Sequence, residues 1–150
     1  MIRRLAGMVA TAVPALWAGM ILGAGFIAVP AIFAVPPDAK PFAYLAASRV
    51  FERLAMAEWM FAILLVLALA ALRFPRQRTV ACLTLLALAA AQAIWLRPDL
   101  IGRALILAGG GEVEPSSAHA VYAGLELCKL AWLSGLAYAG GMGKPDQASS

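Results

Sequence analysis

Long apolar runs separated by short polar breaks dominate the chain. A helix needs about 20 mostly apolar residues to cross the hydrocarbon core of a membrane. The pattern therefore predicts an all-α protein, a four-helix transmembrane bundle that forms one domain over residues 1–143, followed by a flexible cytoplasmic tail over residues 144–150. The four predicted spans are residues 8–30, 50–72, 79–96 and 117–138.

Prolines and a capping residue predict details of these helices. Pro14 is expected to kink span one and Pro30 to end it, because proline cannot donate the intrahelical hydrogen bond. Between spans three and four, Asp99 is expected to cap a short separate helix with an apolar face opposite Arg103. Such a helix would lie on the outer surface of the membrane.

Composition and charge place the protein in a membrane. Of the 150 residues, 63% are hydrophobic and only 13% are charged, which is too apolar for a soluble domain of this size. The net charge of +4 does not indicate nucleic acid, because the basic residues stand singly or in small groups between the apolar runs. We expect a multi-pass protein of the cell (inner) membrane whose partner is the lipid bilayer.

The distribution of lysine and arginine predicts the orientation. The side that holds both termini carries more of these residues than the other, where acidic residues also dilute the charge. The positive-inside rule then puts the N- and C-termini in the cytoplasm. The first side has Arg3, Arg4, Arg73, Arg76, Arg78 and Lys144, and the second has Lys40, Arg49, Arg97 and Arg103.

Charged residues occur within spans two and four and are absent from spans one and three. Residues 119, 122, 126, 129 and 133 share an arc of about 80° on span four, which should face the interior of the bundle. Spans two and four run in the same direction, so Glu58 and Glu126 come to a similar depth, on the order of 10 Å from the outer boundary. The predicted binding or proton-relay residues are Glu58, His119, Tyr122, Glu126, Lys129, Arg53 and Gln92.

Each of these residues also has a plainer interpretation. Glu126 and Lys129 are three residues apart on one helix face and could form a structural ion pair, while Glu58 either carries a proton or pairs with Arg53. His119 opens a span, where an interfacial histidine is common. An intramembrane charge is nevertheless a pointer to function, and it favours a polar cluster in the outer half of the bundle.

Metal and cofactor chemistry has little support in the sequence. Met56 and Met60 are one helical turn apart and, with His119, are weak candidates for a Cu(I) site. One histidine per chain excludes ligation of haem by two histidines of the same chain. No cofactor is predicted, and the two cysteines lie at different depths, which disfavours a disulfide between them.

Gly19 and Gly23 form a small-residue face on span one. Such a face allows close helix packing, so a homo-oligomer through it is one alternative for the assembly. Another alternative is a membrane-protein partner that docks against the charged stripe of span four.

Several stretches resemble a known family of small bacterial four-helix membrane proteins, a domain of unknown function similar to the eukaryotic transmembrane protein two-hundred-and-five group. They are Leu16-Trp17-Ala18-Gly19 with Val29-Pro30-Ala31-Ile32-Phe33, then Arg49-Val50-Phe51, and the histidine that opens span four, His119. After this histidine the chain departs from the family, which usually continues with small and amide-bearing residues. The resemblance implies the fold and topology and adds no substrate.

Three functions remain open from the sequence. The first is handling of a small solute or ion through the polar cluster, with proton coupling through Glu58 or Glu126. The second is a non-catalytic assembly or accessory subunit that docks a partner membrane protein, and the third is copper or other metal handling. An enzyme is disfavoured, because acid, base and tyrosine groups are present without an organised catalytic constellation.

Overall fold

The computed structural model of the chain describes residues 1–141 and shows four long helical stretches. Each stretch is long and apolar enough to cross a membrane, which confirms the prediction of an all-α protein with four such helices. The predicted tail over residues 144–150 lies outside the described residues. The four stretches are Ile2–Phe33, Pro37–Ala71, Arg76–Ala108 and Ala118–Gly140.

The first stretch consists of α1 (Ile2–Ile21), a π-helical segment (Leu22–Ala28) and α2 (Val29–Phe33). Pro14 lies inside α1 and is buried. The expectation that the helix ends near Pro30 is corrected, because the chain remains helical to Phe33.

The second stretch begins with a 3₁₀ turn (Pro37–Ala39) and continues as α3 (Lys40–Ala71), well before residue 50. The turn after α3 contains two non-glycine residues with positive φ, Arg73 at 62° and Phe74 at 51°. The Phe74 amide donates to the Leu69 carbonyl at 2.8 Å, and the Leu72 amide donates to the same carbonyl at 3.1 Å, so the turn is tied to the last turn of α3.

The third stretch is α4 (Arg76–Ala91), a π-helical segment (Gln92–Leu96) and α5 (Arg97–Ala108), and α6 (Ala118–Gly141) follows. The prediction of a separate helix capped by Asp99 is wrong, because α5 continues directly from the π-helical segment without a side-chain cap. Asp99 instead accepts a hydrogen bond from Arg103 Nε at 2.8 Å. This pairing four residues apart lets the charges stay on a continuous helix.

Both π-helical segments stand immediately before a proline at the second position of the next helix, Pro30 in α2 and Pro98 in α5. Proline cannot donate to the carbonyl four residues earlier, and its ring clashes with that carbonyl in a regular α-helix. The wider π turn accommodates this defect, so each helix continues past its proline.

The bundle has two different ends. The terminal end holds the start of α1, the α3–α4 turn and the end of α6, and the loop end holds the segments around residues 34–39 and 109–117. The terminal half is an apolar core in which α1 packs against α3 and α6. Its buried residues include Ala10, Val13, Trp17, Leu65, Leu69, Leu85, Leu133 and Leu136.

Candidate functional site

The centre of the bundle contains an ion cluster of three residues, Glu58 from α3 and Glu126 and Lys129 from α6. The Lys129 ammonium donates to Glu58 Oε1, and its Nζ lies 2.9 Å from Glu126 Oε1. Lys129 is 0% exposed, Glu58 1% and Glu126 6%. We call these three residues the triad. The sequence placed these groups at one depth, and the structure brings them into contact.

Two neighbouring side chains complete the cluster. Trp17 of α1 donates its indole N–H to Glu58 Oε1 at 3.1 Å, and Gln92 of the π-helical segment donates to Glu126 Oε1 at 3.0 Å. Both donors are buried. All four membrane-length helices therefore contribute to one hydrogen-bonded network.

The triad contains one more acid than base. With both carboxylates ionised and Lys129 protonated, its net charge is −1. In the described part of the chain, three buried oxygens around it have no hydrogen-bond partner: Glu58 Oε2, Glu126 Oε2 and Gln92 Oε1. Buried polar atoms are normally satisfied, so this arrangement can accept a proton or another donor.

An inner cavity of about 380 Å³ leads to the triad. Glu126 lies in its wall with Tyr122, which is one turn nearer the loop end of α6. The Tyr122 ring packs edge-on against Phe51 with 5.4 Å between ring centroids. The triad is thus connected to open space on its loop-end side.

An outer cavity of about 460 Å³ lies at the loop end, between α2, α3, α5, the start of α6 and residues 113–116. It shares wall residues with the inner cavity, including His119 and Tyr122. Beyond the triad, toward the terminal end, the fully buried side chains of Leu65, Leu85 and Leu133 belong to the apolar core. Access to the triad is therefore one-sided.

Not every predicted site residue joins the cluster. Arg53 is exposed, and Glu58 pairs with Lys129, which corrects the alternative in which Glu58 pairs with Arg53. His119 is exposed at the start of α6 and lines both cavities. Met56 and Met60 are 59% and 65% exposed and line neither cavity, so the structure does not bring them together with His119.

Other predicted features have distinct positions. Within residues 1–141 there is no group of three histidine, cysteine or acidic side chains suited to holding a metal ion. Cys82 and Cys128 are both free thiols. Gly19 of α1 is exposed, and a Cβ at Gly19 or at Gly23 in the following π-helical segment would meet nothing within 4 Å, so this face of the first stretch stays open.

Docking of a partner membrane protein stays a prediction, and two residues of the charged stripe of span four lie inside the bundle. Glu126 and Lys129 are buried inside the bundle, where they bind Glu58 and Gln92. They offer no exposed charged surface to a partner helix.

Sequence reasoning missed two residues of this region. Trp17 lies in an uncharged span, where a tryptophan is usually a core or interface residue. Its indole N–H, which donates to Glu58, is the one polar group of its side chain. The sequence indicates for Arg97 only a role in membrane orientation, but in the structure Arg97 lines the outer cavity. The signal for Arg97 in the sequence is the adjacent Pro98. In the structure, this proline follows a π-helical segment, and the helix continues past it.

Comparisons with protein-family models, with curated proteins and with solved structures find no match to this chain. The resemblance to the four-helix membrane family therefore stays a prediction.

Proposed function

We propose that this protein handles a small solute or ion in the membrane and that the triad binds the proton that accompanies it. One observation carries the proposal: a buried cluster with two carboxylates and one ammonium adjoins a cavity that reaches the loop end. Ionisable residues inside membrane spans are costly and mark ion pathways and proton relays. A purely structural ion pair needs one acid for Lys129, and the second acid has no such role.

The network supports a simple division of tasks. Lys129 holds the two carboxylates together, Trp17 and Gln92 fix their orientation, and one proton neutralises the remaining negative charge. Glu126 is the group through which the proton enters, since it is the member of the triad that lines the inner cavity, and Glu58 and Lys129 line neither of the two cavities. Tyr122 stands between this carboxylate and the outer cavity.

We infer that the protein lies in the cell (inner) membrane with both termini in the cytoplasm, so that the cavities open outward. The arginines near the terminal end support this orientation through the positive-inside rule. Reporter enzymes fused after residue 141 and inserted at Gly110 should report opposite sides, with the first cytoplasmic. A cytoplasmic signal from the insertion at Gly110 contradicts the orientation.

Proton coupling is testable in liposomes that contain a pH-sensitive dye. A panel of monovalent cations, inorganic anions, organic acids, amines and amino acids is added outside, and the pH inside is followed. At least one compound should drive proton movement through the wild-type protein. Glu58→Gln with Glu126→Gln should abolish it, because no carboxyl remains in the triad to carry the proton.

Glu52→Gln is the matched control. Glu52 is on the same helix as Glu58 but forms a surface pair with Arg49 at 2.8 Å. This variant should keep the wild-type flux. Equal flux in the double variant and in wild type, or no proton movement with any compound of the panel, contradicts the proposal.

A further inference from the structure

The outer cavity has mostly apolar walls. They are formed by aromatic and aliphatic side chains from four helices, and the volume of about 460 Å³ is in the range of small-molecule sites. The apolar wall residues include Val29, Phe33, Phe51, Leu100, Ile101 and Leu107.

Two arginines line the same cavity and differ in their partners. Arg103 donates to the Asp99 carboxylate and to the Glu114 carbonyl, both at 2.8 Å. Within residues 1–141, Arg97 forms no ion pair, and its buried Nε has no hydrogen-bond partner. Arg97 is therefore the cation that this cavity leaves available.

Arg97 and His119 lie in the wall together with the hydroxyl-bearing Ser48 and Ser116. A guanidinium binds carboxylate or phosphate with paired hydrogen bonds, and the Ser116 hydroxyl and the imidazole can donate to the same anion. The Ser48 hydroxyl donates to the Tyr44 carbonyl at 2.9 Å. The adjacent aromatic and aliphatic walls suit an apolar body. This combination is complementary to a molecule that is charged at one end and apolar at the other.

We propose that the outer cavity binds an amphiphilic anion, a carboxylate or phosphate that contacts Arg97 and whose apolar body lies against the aromatic walls. The identification of this anion as the solute that moves with the proton rests on the proposed function. The binding site itself does not rest on the proposed function, because it depends on the outer cavity and Arg97 and not on the triad.

The positions of the charges connect this site to the triad. Arg97 and Tyr122 line the outer cavity, and Tyr122 and Glu126 line the inner one, so Tyr122 lies between Arg97 and the triad. The positive charge of Arg97 opposes the uptake of a proton by the triad. A bound anion neutralises that charge and so favours a proton on the triad, and by linkage the proton favours the anion.

Calorimetric titration of the purified protein in zwitterionic lipid nanodiscs tests the binding site. The probes are 4-propylbenzoate, the uncharged 4-propylbenzamide and inorganic phosphate, with empty nanodiscs as the blank. The benzoate should bind saturably and at least about tenfold more tightly than either other probe. Equal binding of the amide, or of inorganic phosphate, overturns the proposal.

Arg97→Gln should weaken benzoate binding about 10- to 100-fold, because it removes a charge-assisted hydrogen bond. Arg49→Gln is the control, since Arg49 is an exposed arginine outside the cavity. Unchanged affinity in Arg97→Gln overturns the proposal. If Arg97→Gln does not fold, the comparison of 4-propylbenzoate with 4-propylbenzamide in the wild-type protein still tests whether the cavity binds the anion.

Two sources of the anion give different results in a competition. Nanodiscs that contain phosphatidylglycerol should block benzoate binding if the natural occupant is an anionic lipid, and should leave it unchanged if the occupant is a water-soluble acid. Either result is consistent with an amphiphilic anion. Benzoate binding without any proton flux would refute the proposed function and leave the binding site standing.

Discussion

Lys129 is the residue on which the buried cluster depends. Its ammonium contacts both Glu58 and Glu126, and no part of its side chain is exposed. Removing one partner from a buried ion pair leaves an uncompensated charge and costs about 3–5 kcal/mol. The protein therefore keeps the two acids together only while this lysine is present.

Replacing Lys129 by methionine, which is close in size and uncharged, should lower the free energy of unfolding by about 3–5 kcal/mol. Adding Glu58→Gln and Glu126→Gln to Lys129→Met should recover a large part of that loss, because the buried charges are then absent. Chemical unfolding in mild detergent, followed by circular dichroism, measures both effects.

Lys40→Met provides the comparison. Lys40 donates to the Phe33 carbonyl at 3.0 Å and is only half-buried, so its replacement should cost about 1 kcal/mol. If Lys129→Met is no less stable than Lys40→Met, the triad does not hold buried charges as described.

The sequence predicted much of the triad and little of its surroundings. The spacing of Glu126 and Lys129 indicates one helix face, and the shared direction of α3 and α6 brings Glu58 to the same depth. The contact of Trp17 with Glu58 could not be predicted in this way, because it depends on how α1 is rotated about its axis. An apolar helix with many small residues leaves that rotation open.

Helices α1 and α6 approach each other closely near the terminal end. A Cβ at Gly140 would overlap the side chain of Thr11, whereas a Cβ at Gly19 would meet nothing. Gly140→Ala should destabilise the protein by about 1–3 kcal/mol, because the helices have to move apart. Thermal unfolding in detergent measures the change.

Gly19→Ala is the matched control on the open face of α1. It should leave the midpoint of unfolding unchanged or raise it, because alanine favours a helix over glycine by about 1 kcal/mol. A Gly140→Ala midpoint equal to that of Gly19→Ala would show that the close approach of α1 and α6 is not required.

The helices themselves were predicted in number and order but not in length. The prediction ended spans at prolines and charges, yet the chain continues through Pro30 and Pro98 by means of π turns. Hydropathy alone does not indicate a π turn. The charges of α5 suggested a surface segment because pairing of Asp99 with Arg103 is visible only in the folded helix.

The whole molecule is asymmetric along its length. The terminal half is a close-packed apolar core, the triad lies at its border, and two cavities occupy the loop half. A polar loop half and an apolar terminal half follow from the placement of charges in the sequence. The two cavities could not be predicted from the sequence, because the outer cavity requires α5 to pack against α3.

This asymmetry makes the protonation state of the triad the property on which the proposed function depends most directly. An extra acid with a cavity on one side has a role only if it takes up a proton or an equivalent donor. Infrared spectroscopy detects a protonated carboxyl in a dry environment by its carbonyl stretch, which shifts on exchange into heavy water.

The decisive measurement is this spectrum at neutral pH for wild type, Glu52→Gln and the variant that combines Glu58→Gln with Glu126→Gln. The account predicts one buried protonated carboxyl in wild type and in Glu52→Gln, and none in the combined variant. A wild-type spectrum without such a band, or a band that persists in the combined variant, contradicts the account.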